Sequence, residues 1–388
     1  MRFEKARRIR ELPTYLFAEI DQRKRAALAR GVDLIDLGVG DPDIPTPAPI
    51  VERLRVAATA PVNHRYPSSS GLLEFRRSVA DWYERRFGVK LNPENEVVSL
   101  IGSKEGIANM AVAFVDPGEV VLSTSPAYPV YRIGALFSGG RAYSLPLTKE
   151  NRFLPDLDGT PAEVARQAKM LWINYPNNPT AAVADEEFFK RVVEYAHRNQ
   201  VIVCHDAAYT EVAFDGYRPM SLLQVEGARE VTIEFHSLSK TFSMTGWRIG
   251  MAVGNRDLIS GLAQVKSNVD SGVFQAVQEA GIEALRLAEE VVEPLRRTYQ
   301  ERRDVLVSGL HAAGFECEKP RATFYVWVSV PKGISSAQLT AKLLDEAGVV
   351  ATPGNGFGAA GEGYIRLTLC VDKDRLKEVV DRIQQVKL

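Results

Sequence analysis

The chain has 388 residues, of which 45% are hydrophobic and 25% are charged, a composition typical of globular proteins. Its 48 Lys and Arg residues nearly balance its 49 Asp and Glu residues, which argues against nucleic-acid and membrane-surface proteins, because these bind through clustered cations. Cys204, Cys317 and Cys370 are scattered, so we predict no disulfide framework and a cytoplasmic location. No Cys or His spacing is typical of a zinc site, and we predict no metal.

The length favours more than one structural unit, and changes of pattern along the chain place the boundaries. The arginine-rich start, "RFEKARRIRELP", contains two glutamates and predicts an exposed helix rather than a transit peptide. We predict that residues 1–45 form an N-terminal arm and part of a small domain. Residues 46–285 then form a large domain, and residues 286–388 complete the small C-terminal domain.

Between residues 90 and 255, short apolar runs that predict strands alternate with amphipathic stretches that predict helices, such as "DEEFFKRVVEYAHRN". Continuous apolar strands separated by helices indicate an α/β fold with a mostly parallel sheet covered on both faces. The predicted strands are, in chain order, "EVVSLIG", "EVVLSTSP", "KMLWINYP", "VIVCHDAAY", "VTIEFHSLSK" and "IGMAVG".

After Gly254 the hydrophobic period is helical from "QAVQEAGIEAL" to "VLVSGLHAAG", which predicts a long connecting helix broken near Pro294. The remaining chain mixes strands ("TFYVWVSV", "YIRLTLC") with helices and predicts a small α+β unit. The stretch "GFGAAG", residues 356–361, matches the GxGxxG of dinucleotide-binding proteins. A strand follows it where that motif needs a helix, so we predict a loop and not a dehydrogenase.

Polar side chains follow four of the predicted strands, at the point where each strand ends. Taken singly, most of them have a common structural explanation as exposed lysines, helix caps or turn residues. In an open parallel sheet, however, the carboxyl ends of the strands are where ligands bind. Complementary residue types at successive strand ends therefore predict a ligand site, formed by Ser103 and Lys104, Asn178, Asp206 and Tyr209, and Ser237, Ser239 and Lys240.

Part of this set suits a phosphate group. The "GSKEG" turn opens a helix, so its N–H groups and the Ser103 hydroxyl face the same point. Ser237 adds a second hydroxyl. Arg248, which follows a Thr-Gly-Trp turn, adds a guanidinium group, whose planar set of donors matches the geometry of phosphate.

The rest of the set suits an aromatic aldehyde. A carboxylate at Asp206 is costly to bury without a cationic partner, and a protonated ring nitrogen is such a partner. Tyr209 and Asn178 can donate hydrogen bonds to a phenolate oxygen, and Lys240 can form a Schiff base with an aldehyde. Phosphate, pyridinium, phenolate and aldehyde are the parts of pyridoxal 5′-phosphate, which is the predicted cofactor.

The set "YPNNPT", "HDAAYTEV", "SLSKTFSMTGWRIG" and "YIRLTL" resembles the class I/II aminotransferases, pyridoxal-phosphate enzymes of the aspartate aminotransferase fold, fold type I. The resemblance covers essentially the whole chain. It implies that the protein moves an amino group between an amino acid and a 2-oxo acid, with Lys240 as the Schiff-base lysine and proton carrier. One departure is Ala181, at a position after "NNPT" where the family usually has glycine.

The resemblance also implies a role for residues that the strand ends do not supply. Tyr66 would reach the phosphate from the partner subunit, which implies a homodimer with shared sites. Arg366, helped by the backbone at Gly40, would bind the substrate α-carboxylate. The implied cofactor site comprises Ser103, Lys104, Tyr128 (stacked on the ring), Asn178, Asp206, Tyr209, Ser237, Ser239, Lys240, Arg248 and Tyr66.

The stretches "LPTYLFAEID", "GSKEGIAN" and "SPAYPVYRIGALFSGG" resemble the LL-diaminopimelate aminotransferase branch of that family. This implies a substrate site that includes Tyr15, Lys104, Asn178 and Asn268, with 2-oxoglutarate as the acceptor. The branch also has a glutamate for the distal ammonium, where this chain has Ser68–Ser70. That departure leaves an aspartate aminotransferase as an alternative, and the shared fold leaves a C–S β-lyase as another.

Overall fold

The computed structural model describes residues 3–12 and 16–386. Its helices are α1 (Arg7–Arg10), α2 (Leu16–Ala29), α3 (Ala48–Ala58), α4 (Leu73–Phe87), α5 (Ser103–Phe114), α6 (Val130–Ser138), α7 (Ala162–Gln167), α8 (Glu186–Asn199), α9 (Ala228–Val231), α10 (Leu238–Thr241), α11 (Arg256–Val269), α12 (Gln275–Arg286), α13 (Ala288–Ala312), α14 (Ser336–Ala347) and α15 (Lys373–Gln384).

The strands are β1 (Ile35–Asp36), β2 (Val97–Leu100), β3 (Val120–Ser125), β4 (Arg141–Pro146), β5 (Ala168–Asn174), β6 (Ile202–Asp206), β7 (Thr232–Ser237), β8 (Gly250–Gly254), β9 (Tyr325–Ser329), β10 (Val349–Val350), β11 (Thr352–Pro353) and β12 (Tyr364–Thr368). Within the described part of the chain, the helices are all too short or too polar to cross a bilayer.

The largest sheet of the described residues has seven strands in the order β2-β8-β7-β6-β5-β3-β4. Strand β8 is antiparallel to both of its neighbours, and the other pairs are parallel. The strands β2, β5, β6 and β7 therefore end at one edge of the sheet, where their polar successors meet. The prediction of a mostly parallel α/β sheet is confirmed.

Helices cover both faces of this sheet, because neighbouring residues of a strand point to opposite sides. In β5, Leu171 and Ile173 pack in the same cluster as Phe188 of α8. The alternate residues Met170 and Trp172 pack in the cluster that contains residues of α5, α6 and α11. Burial on both faces explains why the sequence of β5 is a continuous apolar run.

The C-terminal part has its own sheet, β11-β12-β9, and its own apolar cluster. The N-terminal segment joins it, since Ile35 of β1 pairs with Val349 of β10 in a parallel ladder. Leu37 is packed in the same cluster. The exact limits predicted for the domains, residues 1–45, 46–285 and 286–388, stay a prediction.

Two local predictions differ from the structure. The long helix is divided at Leu287, between α12 and α13. Helix α13 continues through Pro294, so the prediction of a break near that proline is wrong. Strand β4 had not been expected. Within the described residues it is an edge strand that pairs with β3 alone, and most of its residues are exposed, so it lacks the apolar run of a central strand.

Candidate active site

A cleft of about 1340 Å³ opens at the carboxyl edge of the large sheet. Its walls come from both parts of the chain, because Asp206 belongs to the large sheet and Arg366 to the C-terminal sheet. Ten residues predicted from the sequence line it together, namely Gly40, Ser103, Lys104, Tyr128, Asn178, Asp206, Tyr209, Ser237, Lys240 and Arg366.

Asp206 is the last residue of β6 and is only 6% exposed. The hydroxyl of Tyr131 donates a hydrogen bond to its Oδ2 at 2.8 Å. The other oxygen, Oδ1, is buried and has no partner among the described residues. Burial raises the pKa of this carboxyl above its ordinary value, and the Tyr131 hydrogen bond opposes that effect. The orphaned oxygen is the feature expected of a carboxylate that awaits a cationic partner.

A second buried acid, Glu234, lies on the neighbouring strand β7, where it pairs with His205 of β6. Its Oε2 is 2.7 Å from Nδ1 of His205, and its Oε1 accepts a hydrogen bond from Ser221 Oγ at 2.8 Å. The same Oε1 lies 3.1 Å from Nε2 of His236. Despite the cost of burial, the bonds to the two histidines hold the pKa of Glu234 well below its usual range. Both histidines are buried and lie within hydrogen-bond distance of this acid.

Lys240 lies in α10, directly after β7, and its Nζ donates a hydrogen bond to the carbonyl oxygen of Gly40 at 2.9 Å. Burial lowers the pKa of this amine below its ordinary value. The positive charges of Arg366 and Arg248 act in the same direction, against Asp41, which raises it. A lysine with a lowered pKa is more often neutral, and the neutral amine is the form that acts as nucleophile or base.

Ser103 begins α5, and Arg248 lies against the N-terminus of this helix. The Arg248 side chain is exposed, does not line the cleft, and donates to the Thr245 carbonyl at 3.0 Å. Gly102 caps this helix with a φ of 70°. A Cβ added to Gly102 would lie 2.0 Å from a guanidinium nitrogen of Arg248, so the arginine rests directly against the helix end. Helix N–H groups, a hydroxyl and a guanidinium on one point form an anion-binding arrangement.

The remaining serine of the predicted cofactor set, Ser239, is less directly placed. Its side chain is buried, and its Oγ has no partner within the described residues. Its backbone N–H donates to Ser237 Oγ at 3.2 Å, which orients that hydroxyl. Ser239 does not line the cleft, so its direct contact with a cofactor stays a prediction.

Arg366 lies in β12 and is 2% exposed. Its guanidinium donates to Asn178 Oδ1 at 2.8 Å and to the Gly38 carbonyl at 2.7 Å. Its Nε–H has no partner among the residues that the structure describes. The group lies over the rings of Tyr325 and Phe357, 4.3 and 4.7 Å from their centroids. A guanidinium fixed by two hydrogen bonds and two aromatic rings is suited to bind a carboxylate.

Besides Ser239 and Arg248, two predicted substrate or cofactor residues do not line the cleft of this chain, and one more cannot be placed. Tyr66 is 89% exposed. Asn268 is exposed on α11, where its side chain donates to the Gln264 carbonyl at 2.8 Å. Tyr15 lies outside the described residues. The roles of all three stay predictions.

Ala181, the departure from glycine after "NNPT", has a φ of 59°. That is the left-handed region that glycine occupies more easily. The turn is kept nonetheless, because Asn177 accepts hydrogen bonds from Thr180 N at 3.0 Å and from its hydroxyl at 2.7 Å.

Two site residues were missed by the sequence reasoning. Tyr131 is the hydrogen-bond partner of Asp206. It lies three residues after Tyr128, and this proximity to a predicted cofactor residue is the signal in the sequence that could have identified it. Its ring stacks on Trp172 inside the core, as an ordinary core aromatic does. Tyr325 lines the cleft from β9. Nothing in its local sequence distinguishes it from the other buried residues of that strand.

Comparison with known proteins decides the family. The profile of aminotransferase class I and II matches residues 32–383. The chain belongs to this family. It is an enzyme that transfers amino groups.

Full-length relatives agree with this assignment. The chain is 57% identical over 386 residues to the LL-diaminopimelate aminotransferase of Syntrophobacter fumaroxidans, covering 100% of both sequences. It is 56% identical to the same-named protein of Moorella thermoacetica, covering 99% of this chain and 98% of that one. The fold matches an aspartate aminotransferase variant from Thermus thermophilus with a TM-score of 0.93 and 30% identity over 100% of both chains.

These findings confirm two predictions made from the motifs. The fold is that of the aspartate aminotransferases, and the sequence is similar to the LL-diaminopimelate branch along its whole length. The matching segment of the family profile includes the strands that carry Asp206 and Arg366 and the helix that carries Lys240.

Proposed function

We propose that this aminotransferase acts on LL-diaminopimelate with 2-oxoglutarate as acceptor and uses pyridoxal 5′-phosphate. The observation that carries the substrate assignment is identity of 57% and 56% with two proteins of that name, over essentially the whole chain. The cytoplasmic location predicted from composition stays part of the proposal.

The described residues fit the cofactor. The orphaned Oδ1 of Asp206 suits a protonated ring nitrogen, and the arrangement of Gly102, Ser103 and Arg248 suits a phosphate. Tyr209 and Asn178 would hold the ring oxygen, and Tyr128 would lie against the ring. When bound, pyridoxal phosphate supplies an aldehyde that accepts the amino group and a ring that withdraws electrons from the substrate α-carbon.

Lys240 carries the proton transfers in this proposal. Its lowered pKa increases the fraction of neutral amine, which can take the α-proton from the substrate and return it later in the reaction. The Gly40 carbonyl holds the amine at the cleft through the 2.9 Å hydrogen bond. Asp206 keeps a proton on the ring nitrogen, since its carboxylate favours the cationic form.

Arg366 orients the substrate. Its bond to Asn178 joins the carboxylate site to the residue assigned to the ring oxygen. An α-carboxylate bound here places the α-carbon near Lys240, which lines the same cleft. Both substrates of a transaminase carry this carboxylate, so one arginine serves both half-reactions.

The distal end of the cleft distinguishes the candidate substrates, because LL-diaminopimelate has an ammonium there and aspartate has only a carboxylate. Lys104 lines the cleft and is exposed, which suits a distal carboxylate. Of the described lining residues, Asp206 is the sole carboxylate, and it is assigned to the cofactor. A distal ammonium would therefore rely on neutral hydroxyls or on the partner subunit. This observation favours aspartate as the second candidate substrate.

A homodimer would supply the missing residues. The segment of Tyr66 and Ser68–Ser70 lies against the chain that follows α11, because a Cβ on Gly272 would be 2.5 Å from the Ser68 carbonyl. Val62, Tyr66 and Val269 are 66%, 89% and 69% exposed. Highly exposed large side chains of this kind are typical of a subunit interface. In the proposal, this region carries Tyr66 and Asn268 to the cleft of the partner.

Substitution Gly102→Ala tests the phosphate site. The added Cβ would displace the Arg248 guanidinium and would be strained at a φ of 70°. We expect the affinity for pyridoxal phosphate to fall at least about tenfold, because charge-assisted hydrogen bonds are lost. Equilibrium titration of the cofactor-free protein, followed by absorbance, measures this.

The matched control for this substitution is Gly246→Ala. Gly246 lies two residues before Arg248, and a Cβ there would meet nothing within 4 Å. Its affinity should remain that of the wild type. Equal affinities for the Gly102→Ala and Gly246→Ala proteins would remove Arg248 and the α5 N-terminus from the phosphate site.

A panel of half-reactions tests the substrate. The cofactor-bound protein is mixed with one amino donor at a time, without acceptor, and the change of the cofactor absorption is followed in a stopped-flow instrument. We expect LL-diaminopimelate to react faster than aspartate or glutamate. Rapid change with aspartate and none with LL-diaminopimelate would transfer the proposal to the aspartate alternative. Release of pyruvate and ammonia from a cysteine-type substrate would indicate C–S lyase chemistry.

A further inference from the structure

Tyr325 lines the cleft and has no role in the chemistry proposed above. It is the first residue of β9 and is 2% exposed. Its hydroxyl lies 2.8 Å from the hydroxyl of Tyr209. Tyr209 follows β6 of the large sheet, so this hydrogen bond joins the two sheets at the cleft.

The position of the Tyr325 hydroxyl is closely determined by its surroundings. A Cβ added to Gly40 would lie 2.2 Å from the Tyr325 oxygen, so the hydroxyl rests directly on the glycine backbone. The Arg366 guanidinium lies 4.3 Å from the Tyr325 ring centroid. The side chain is thus held between the residue assigned to the ring oxygen and the residue assigned to the substrate carboxylate.

The number of hydroxyl hydrogens determines which of the two tyrosines donates in the bond between them. A phenol has one hydrogen to donate. If Tyr209 donates its hydrogen to the oxygen of the cofactor ring, the bond between the tyrosines requires Tyr325 as the donor. A hydroxyl that accepts one hydrogen bond donates more strongly in the next, because linked hydrogen bonds polarise one another.

We propose that Tyr325 is a positioning residue that orients the Tyr209 hydroxyl and strengthens its hydrogen bond to the cofactor ring oxygen. The inference rests on the proposed pyridoxal phosphate site. It adds a residue of the C-terminal sheet to the control of the cofactor. The same residue contacts Arg366, so the orientation of Tyr209 is tied to the carboxylate end of the cleft.

The alternative is that the Tyr325 ring only fills space under Arg366. Substitution Tyr325→Phe separates the two, since phenylalanine keeps the ring and removes the hydroxyl. The readout is the pH midpoint of the visible absorption band of the bound cofactor, measured without substrate. Without the Tyr325 hydroxyl, the hydrogen bond from Tyr209 to the ring oxygen should be weaker. This should raise the midpoint, because the deprotonated form of that oxygen is then stabilised less.

We expect Tyr325→Phe to raise the midpoint by about half a pH unit, the size of one modest hydrogen bond. Tyr209→Phe should raise it by more. In the double variant Tyr209→Phe/Tyr325→Phe, the midpoint should equal that of Tyr209→Phe alone, because Tyr325 acts through Tyr209.

The control is Tyr299→Phe. Tyr299 is buried in the same cluster against Phe324, and its hydroxyl has no partner within the described residues. Its removal should leave the midpoint unchanged. An unchanged midpoint in Tyr325→Phe, or a shift that adds fully to that of Tyr209→Phe, would overturn the inference while leaving the proposed function intact. A wild-type protein that takes up no pyridoxal phosphate and shows no such band would overturn both.

Discussion

Substitution Lys240→Ala is expected to lower the transamination rate by at least about 10⁴-fold, the upper range for loss of a proton-transferring group. The reason is that one amine supplies both the covalent attachment and the proton transfers. Its position after β7, its hydrogen bond to Gly40 and its lowered pKa are consistent with both roles. Borohydride reduction followed by intact-protein mass spectrometry measures the attachment, and half-reaction kinetics measure the rate.

Lys104→Ala is the matched control for this experiment, because Lys104 is a second lysine lining the same cleft. It should keep the covalent attachment and change mainly the KM of the substrate. A reducible attachment that persists in Lys240→Ala and disappears in Lys104→Ala would show that our proposal assigns the covalent bond to the wrong lysine.

Substitution Asp206→Asn is expected to lower the rate by about 10²- to 10³-fold, comparable to loss of one preorganised electrostatic contact at an active site. A neutral amide cannot hold the ring nitrogen in its protonated form. The hydrogen bond from Tyr131 can be kept, since the amide oxygen accepts it. The kcat of the half-reaction is the measurement, with Tyr131→Phe as a milder variant of the same site.

The same substitution should stabilise the protein when the cofactor is absent. The raised pKa of Asp206 means that the folded state binds the proton more tightly than the unfolded state. Stability of the cofactor-free protein should therefore fall as the pH rises from the ordinary carboxyl value of 3.8 through the raised one. The Asp206→Asn protein lacks this ionisation, so its melting temperature above that range should exceed the wild-type value.

Thermal unfolding of the two proteins across pH checks this expectation. With pyridoxal phosphate bound, the order should reverse, because the wild-type carboxylate then has a cationic partner. At neutral pH, a melting temperature of cofactor-free Asp206→Asn below that of the wild-type protein would contradict the expectation. It would show that the buried carboxylate of Asp206 does not destabilise the folded state.

The large sheet was predictable because its strands are buried on both faces. Burial on both sides forces a continuous apolar run, as in β5, and that run is visible in the sequence. Edge strand β4 was not predicted, because most of its residues are exposed and it has no continuous apolar run. The division of the long helix at Leu287 rather than at Pro294 was also hidden, because local backbone geometry there has no composition signal.

The residues that our proposal assigns to the cofactor could be selected from the sequence in the same way. Asp206 ends a strand run and Lys240 closely follows one, and parallel strands bring their carboxyl ends to one edge. Residue type and strand-end position were then sufficient to indicate phosphate, ring and aldehyde chemistry. The sequence by itself thus determined the fold class, the family and the candidate residues for the cofactor.

Tertiary structure alone decided how these residues are held. The bond from Arg366 to Asn178 joins positions 188 apart, and the bond from Lys240 to Gly40 joins positions 200 apart. Tyr131 and Tyr325 acquire their places in the site in the same way, through contacts with Asp206 and Tyr209. Contacts between segments so distant leave no periodic or local signal. They arise only when two sheets close on one cleft.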